Sequence, residues 1–387
     1  MKRLVILLIA IALIVPAFGH AATKVKIGFI NSITGPEAPI GENLTNGVTL
    51  AIEDLKKQGI DVELVKEDDT GKPEKSMAAF EKLSTRDNVA GVVGPYTSQT
   101  AAAVSKLAEK YKTPLLIPVS SKEEITKQGL KWTYRLSATT EDYATILLSM
   151  AQVLGKNNKT VAILNENTDF GNSGAKSAKE YASKHGLTVV AEEAYARGTP
   201  DYRGTLAGIK AKNPDLVFMV SYVADAILLM RQSREIGLAP HAFLGAGAGF
   251  ATVQFANEKD ISNNVFSSTQ WTKDVNWPGT KDFFDRYVKA FGKEPTYHAS
   301  TAYESMRIMA TEAAKAKGNR DRIKDLLKRG KWNGIMGEVA FIDYSGYTNQ
   351  NHHQMLVEQI QNGKHETVWP PKFAGKKPVY PFPGWSK

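Results

Sequence analysis

From Lys24 onward the chain repeats one unit: a short β-branched run, a polar turn, then an amphipathic helix. Val25 to Ile30 reads as a strand, and Leu44, Val48, Ala51, Ile52 and Leu55 mark a helical stripe that stops at Gly59. Val62 to Val65, Val89 to Val93 and Leu115 to Ile117 are further strands, separated by helices over Pro73 to Leu83 and Ser98 to about Lys112. Such alternation specifies a parallel sheet covered on both faces, because each connection must carry the chain back across the sheet. The pattern weakens between Leu130 and Ala138 and restarts near residue 140, with strands at Val161–Leu164, Leu187–Ala191, Leu216–Val220 and Ala242–Leu244. Helices at Tyr143–Leu154, Ser173–His185, Leu206–Lys212 and Val223–Ile236 lie between them. With 387 residues the chain exceeds what one hydrophobic core organises, so the restart marks a second lobe. The last third differs: helices at Phe283–Phe291, Thr301–Ala316 and Arg322–Leu327 precede strands at Val339–Ile342 and His353–Gln361, and a proline-rich tail follows Trp369.

Met1-Lys2-Arg3, the apolar run Leu4 to Phe18 and the small residues of Gly19-His20-Ala21 have the layout of a signal peptide cleaved after Ala21. The run is short for a bilayer span, which takes about 20 residues, and a retained anchor is the alternative. Without Lys2 and Arg3 the formal charge falls from +9 to +7, spread thinly along the chain, which argues against a nucleic-acid partner. There is no cysteine, so thiol catalysis, disulfides and lipidation are excluded.

Ligands of open parallel sheets bind outside the carboxyl ends of the strands. Gly94-Pro95-Tyr96-Thr97-Ser98 places an aromatic, two hydroxyls and a helix N-terminus at one such end, a setting suited to a carboxylate. Ser98 as a plain N-cap and Tyr96 as a surface ring form the structural alternative. The neighbouring strand ends in Ser120-Ser121, although Ser121 with Glu124 also matches a capping box. In the second lobe Tyr222 follows a strand and Asp225 opens a helix, where the helix dipole alone favours an acid. Gly245 to Phe250 lacks the Lys-Ser or Lys-Thr of a P-loop and reads as a flexible turn or a close backbone approach.

Catalytic signatures are missing: no H-E-x-x-H, no G-x-S-x-G, and His352-His353 point to opposite faces of a strand. Asp61, Glu67, Asp68 and Asp69 form an acidic cluster that reads as a loop-ordering or solvated group in preference to a metal site. No metal and no cofactor is called for.

In order along the chain, Thr34-Gly35 with Gly41 and Ala51-Ile52, Gly94 to Ser98, Arg135, Thr168-Asp169-Phe170-Gly171, Gly334 to Phe341 before Asp343 and Gly346, and Gly363 before Pro370 resemble one family. It is the branched-chain amino-acid (Leu/Ile/Val) substrate-binding proteins of ABC importers, type I periplasmic binding proteins, and the resemblance spans essentially the whole mature chain. It implies an α/β fold of two Rossmann-like lobes around a ligand cleft, joined by three crossovers. The lobes are expected at about 24–139 with 271–338, and 140–270 with 339–387. It also implies a monomer in the periplasm that captures a small solute without chemistry and hands it to a permease with a cytoplasmic ATPase. A periplasmic enzyme and a ligand-sensing module for a membrane receptor are the rivals.

Carried over by position, Ser98 resembles the residue that holds the ligand carboxylate, with Tyr96 and Thr97 beside it. Ser120 supplies backbone contacts, Ser121 contacts carboxylate and amine, and Tyr222 meets the head group from the second lobe. Two positions depart from the pattern. Gly247 stands where leucine binders carry the glutamate that pairs with the ligand ammonium, and Ile40 replaces an aromatic of the first loop. An enclosed ammonium without a carboxylate is costly, so an aliphatic or aromatic carboxylate lacking an amine stands beside a branched-chain or hydrophobic amino acid as ligand. Asp225, or a residue near Asn165, is the candidate to restore the charge. Trp271 is expected either to wall an apolar ligand or to belong to core or hinge.

Overall fold

The computed structural model describes residues 23–385; the signal-peptide reading of residues 1–21 lies outside them. The chain opens with β1 (Thr23–Asn31), α1 (Ala38–Lys57), β2 (Ile60–Asp68), α2 (Pro73–Thr85), β3 (Gly91–Val93), α3 (Ser98–Tyr111), β4 (Leu115–Ile117) and β5 (Thr133–Arg135). All five strands pair in parallel, in the order β5-β4-β3-β1-β2. Alternate residues of β1 serve opposite layers: Val25, Ile27 and Phe29 pack into one core with Leu44, Val48 and Ala51 of α1. Ile30 packs into another with Phe80 and Leu83 of α2.

A second sheet follows from α4 (Thr140–Leu154), β6 (Thr160–Glu166), α5 (Asp169–Lys184), β7 (Thr188–Tyr195), α6 (Arg203–Ala211), β8 (Leu216–Val220), α7 (Val223–Glu235), β9 (Ala242–Gly245), α8 (Val253–Asn257), α9 (Lys259–Ser262) and β10 (Phe266–Thr269). The chain then returns to the first body with α10 (Thr280–Phe291), α11 (Tyr297–Lys315) and α12 (Arg320–Arg329), α11 lying along α1 and against β1 and β3. A hairpin of β11 (Lys331–Gly334) and β12 (Gly337–Ala340) leads to β13 (Ile342–Tyr344) and β14 (Tyr347–Gln350). Finally β15 (Leu356–Gln361) adds antiparallel to β10 and β16 (Lys364–Trp369) antiparallel to β15. The sheets run β13-β14-β5-β4-β3-β1-β2 and β16-β15-β10-β9-β8-β6-β7. The chain passes between them three times, after β5, after β10 and after β14.

One boundary of the expected division needs correction. Residues 339–350 were assigned with the second body, yet β13 and β14 extend the first sheet beside β5. The cause is a polar lock: the Gln350 amide accepts from Arg135 Nε (2.5 Å) and Thr126 Oγ1 (3.0 Å) and donates to the Ser137 carbonyl (2.8 Å). The turn at Asp343–Gly346 therefore joins two strands of the first sheet instead of leading to β15. Among the described residues no helix is long and apolar enough to cross a membrane. The proline-rich tail lies along the second body, where Phe382 and Trp385 pack on Phe243.

Candidate ligand cleft

The carboxyl ends of the strands of both sheets face one another across a narrow cavity. Its walls are Tyr96 and Ser98 after β3, Val119, Ser120 and Ser121 after β4, and Phe170, Tyr222 and Ala248 after β6, β8 and β9. Tyr143, in the first turn of α4, and Tyr297, which opens α11, complete them. Five sequence-derived candidates thus converge: Tyr96, Ser98, Ser120, Ser121 and Tyr222.

The first body offers hydroxyls held by backbone. Arg135 is fully buried, and its guanidinium donates to the carbonyl of Lys122 (2.5 Å) and to Thr126 Oγ1 (2.7 Å), which fixes the loop after β4. Burial holds that guanidinium below its ordinary pKa. Ser120 Oγ donates back to the Tyr96 carbonyl (2.7 Å), so its hydroxyl ties the two loops together and is not free for a ligand. Ser98 Oγ accepts the Lys122 amide (3.2 Å) and keeps its proton to give. Ser121 caps nothing, because the short helical turn beginning at Glu123 has Lys122 at its N-cap; its hydroxyl takes no bond among the described residues. Thr97, by contrast, is the N-cap of α3, with Oγ1 accepting the Thr100 amide, and it does not line the cavity.

The second body offers rings. Tyr222 stands edge-on to Tyr96 (centroids 5.9 Å) and packs against Phe170 (5.4 Å). The Arg197 guanidinium lies 4.8 Å above the Tyr222 ring and pairs with Glu37 of the first body, a carboxylate almost without exposure. A cation stacked on a cleft aromatic and paired across the cleft is a latch.

The acids of the second body turn away. Asp225 accepts from the Gly198 amide (3.2 Å) and the Tyr202 hydroxyl (2.9 Å). Glu166, next to Asn165, accepts the Tyr222 amide (2.9 Å); burial, and then its bond to Asp225, push its carboxyl up to about 9. Both acids lie behind the wall, and neither lines the cavity. Gly247 does not line it either, but a Cβ there would sit 3.2 Å from the Tyr297 hydroxyl, and Gly249 approaches the Tyr222 backbone so closely that a Cβ would lie 2.5 Å from its carbonyl carbon. The glycine stretch is thus a close backbone approach to the cleft wall.

Trp271 and Ile40 lie away from the cavity. Trp271 does not wall the cavity: Thr269 Oγ1 bonds its backbone, and the ring goes into the core against Phe283 (5.7 Å). Its neighbour Gln270 reaches the cleft side instead and donates to the Tyr143 hydroxyl (3.2 Å). Ile40 opens no space, being buried in the core on α1. Sequence reading missed Tyr143 and Tyr297 as cleft residues, although each sits in a helix's first turn, where side chains near a strand-end cleft are well placed to reach it. The acidic cluster near Asp68 orders its loop: Asp68 accepts from the Ile33 and Thr70 amides and Asp69 from the Ser32 hydroxyl. Among the described residues no group of three His, Cys, Asp or Glu side chains is placed to hold a metal ion.

Residues 24–365 match the family model described as periplasmic binding protein. The chain is 26% identical over 383 residues to a Leu/Ile/Val-binding protein homolog 7 of Brucella suis, covering 94% of this chain and 95% of that protein. The structure is similar to the branched-chain amino acid transporter substrate binding protein LivJ of Streptococcus pneumoniae in complex with isoleucine, with a TM-score of 0.80, 25% identity, and 90% and 100% of the two chains covered. It shares its fold with an R. palustris solute binding protein in complex with 4-hydroxybenzoate, at a TM-score of 0.79, 21% identity and coverage of 94% and 98%. The sheets, their three crossovers and the match along nearly all of its length place this chain in the periplasmic binding protein family.

Proposed function

We propose that the protein captures a small apolar carboxylate in the periplasm, unchanged, and delivers it as a monomer to an ABC permease with a cytoplasmic ATPase. The Ser98 and Ser121 hydroxyls hold the carboxylate, aided by the α3 N-terminus. The observation that carries the ligand class is the composition of the walls. Three serines, four tyrosines, a phenylalanine, a valine and an alanine line the cavity, with no acid among them, so an enclosed ammonium would lack a partner. The cavity as it stands has a volume of about 10 Å³, room for about one water, so a ligand enters only as the two bodies part.

A hydrophobic amino acid is the second reading, favoured by the likeness to the isoleucine complex across 90% of the chain. A thermal-shift screen that pairs each amino acid with its deaminated analogue, confirmed by calorimetry, separates the two. Stabilisation by leucine, isoleucine or valine alone would reject the amine-free reading. Mass analysis of the released ligand tests capture against turnover: an altered molecule would make the protein an enzyme.

A further inference from the structure

Besides the cleft, the two bodies line a second cavity, of about 30 Å³, room for about two waters. Glu294 and Thr296, in the loop and at the turn that open α11, come from the first body; Glu358 of β15 and His365 of β16 come from the second. Trp271 and Lys273, on the crossover after β10, complete it. The Lys273 ammonium pairs with Glu294 at 3.6 Å.

His365 sets the proton count. Its Nε2 lies 3.0 Å from the Thr252 carbonyl, which can only accept, so Nε2 carries a proton and gives it there. Its Nδ1 is buried, has no hydrogen-bond partner among the described residues and stands 3.4 Å from Glu358 Oε2. Both side chains are only 13% exposed. With the carboxyl ionised and the imidazole neutral, two lone pairs face each other in a place almost closed to water; one more proton turns that clash into a donor facing an acceptor. The surroundings favour the proton too. Asp274 and Lys273 of the crossover, Glu294 of the first body and Glu366 of β16 all act on Glu358, so acids outnumber the ammonium. Burial, and then Asp274, push the Glu358 carboxyl up to about 8, whereas burial holds the His365 imidazole below its ordinary value. The proton therefore sits on Glu358.

We infer that Glu358 and His365 form a proton-binding site that couples closure of the two bodies to pH, the closed form holding a proton that the open form releases. Glu294 and Thr296 cover the cavity from the first body, so parting the bodies lets water reach Glu358 and returns its carboxyl towards the ordinary value of 4.5. Closing takes the proton up again. The closed form is thus favoured in acid, and its advantage fades as pH rises from about 4.5 to about 8 and is gone above. This coupling goes beyond carboxylate capture and acts on closure over any ligand.

The test needs no ligand. The chain has no cysteine, so Lys75→Cys in α2 and Glu193→Cys in β7, exposed positions on the two bodies, can carry a pair of spin labels whose distance distribution separates closed from open molecules. The ratio of closed to open is expected to fall on the order of 10-fold or more between about pH 6 and about pH 8.5. In Glu358→Gln, whose amide can donate to Nδ1 at every pH, the ratio should stay on the closed side and not vary with pH. In His365→Leu the acid loses its acceptor, and the midpoint should move to lower pH. Melting curves establish that the variants are folded. A ratio independent of pH in the wild-type chain, a transition that persists in folded Glu358→Gln, or an unmoved midpoint in folded His365→Leu would overturn the inference and leave carboxylate capture untouched.

Discussion

The two bodies meet the cleft with different chemistry. The first presents hydroxyls whose places are fixed by backbone: Ser98 held by the Lys122 amide, and the loop after β4 clamped by Arg135. The second presents rings, with its acids Glu166 and Asp225 folded behind Tyr222. Polar grip on one side and apolar closure on the other divide recognition between orientation and exclusion of water, and hydrogen bonds to a charged ligand gain strength when water is shut out. Substitutions on the first side should therefore act on affinity for the carboxylate itself, and those on the second on how long it stays.

The largest effect is expected from Ser98→Ala and Ser121→Ala. Loss of one hydrogen bond to a charged group costs about 1.5–3 kcal/mol, or roughly 10- to 150-fold in affinity by calorimetry with the acid found in the screen. Near wild-type binding in both variants would dissolve the contrast between the bodies. Next comes the latch. Arg197→Ala should raise the dissociation rate about 10-fold with little change in association, and Glu37→Gln should do the same without adding to it in the double variant. Additive losses would mean that the two side chains act separately.

The smallest effect concerns pH. Glu166 is held at about 9 in the folded chain, far above its ordinary value of 4.5, so as pH rises from about 4.5 to 9 the unfolded chain loses this proton first. Stability then falls across that window and levels off above it. In Glu166→Gln, where the amide can still accept from Tyr222 and donate to Asp225, thermal unfolding should vary less with pH between 5 and 9; an unchanged slope would place the proton elsewhere.

Much of the scaffold was legible in the sequence because fully buried parallel strands have to be apolar. Leu115–Ile117 and Leu216–Val220 are strands with the same ends that their apolar runs mark. β5 and β14 were invisible for the converse reason: they are joined through Arg135 and Gln350, a polar pair whose burial only the fold reveals. At the cleft, hydroxyl-rich loops after strands were found and Tyr143 and Tyr297 were not: a tyrosine inside a helical stripe reads as core, and the helix that Tyr297 opens was read only from Thr301. Trp271 was placed one residue off: alternation past the end of β10 sends Gln270 to the cleft and the indole away.

The order of strands also sets a lever. The crossovers leave from β5, β10 and β14, whereas Glu37 follows β1 and Arg197 follows β7, three and four strands away across their sheets. At roughly 4.8 Å per strand this is an arm of about 15–20 Å. The Ala138–Gln270 bond ties two of the crossovers together, and Gln270 goes on to the Tyr143 hydroxyl. A rotation of about 10° then carries the Glu37 and Arg197 ends some 3 Å apart by this geometry, enough to part an ion pair, while groups close to the axis shift by a fraction of that. An arriving acid can accordingly be tested near the axis while the outer ends still stand ajar, and the tyrosine jaws need shut only on one that has passed.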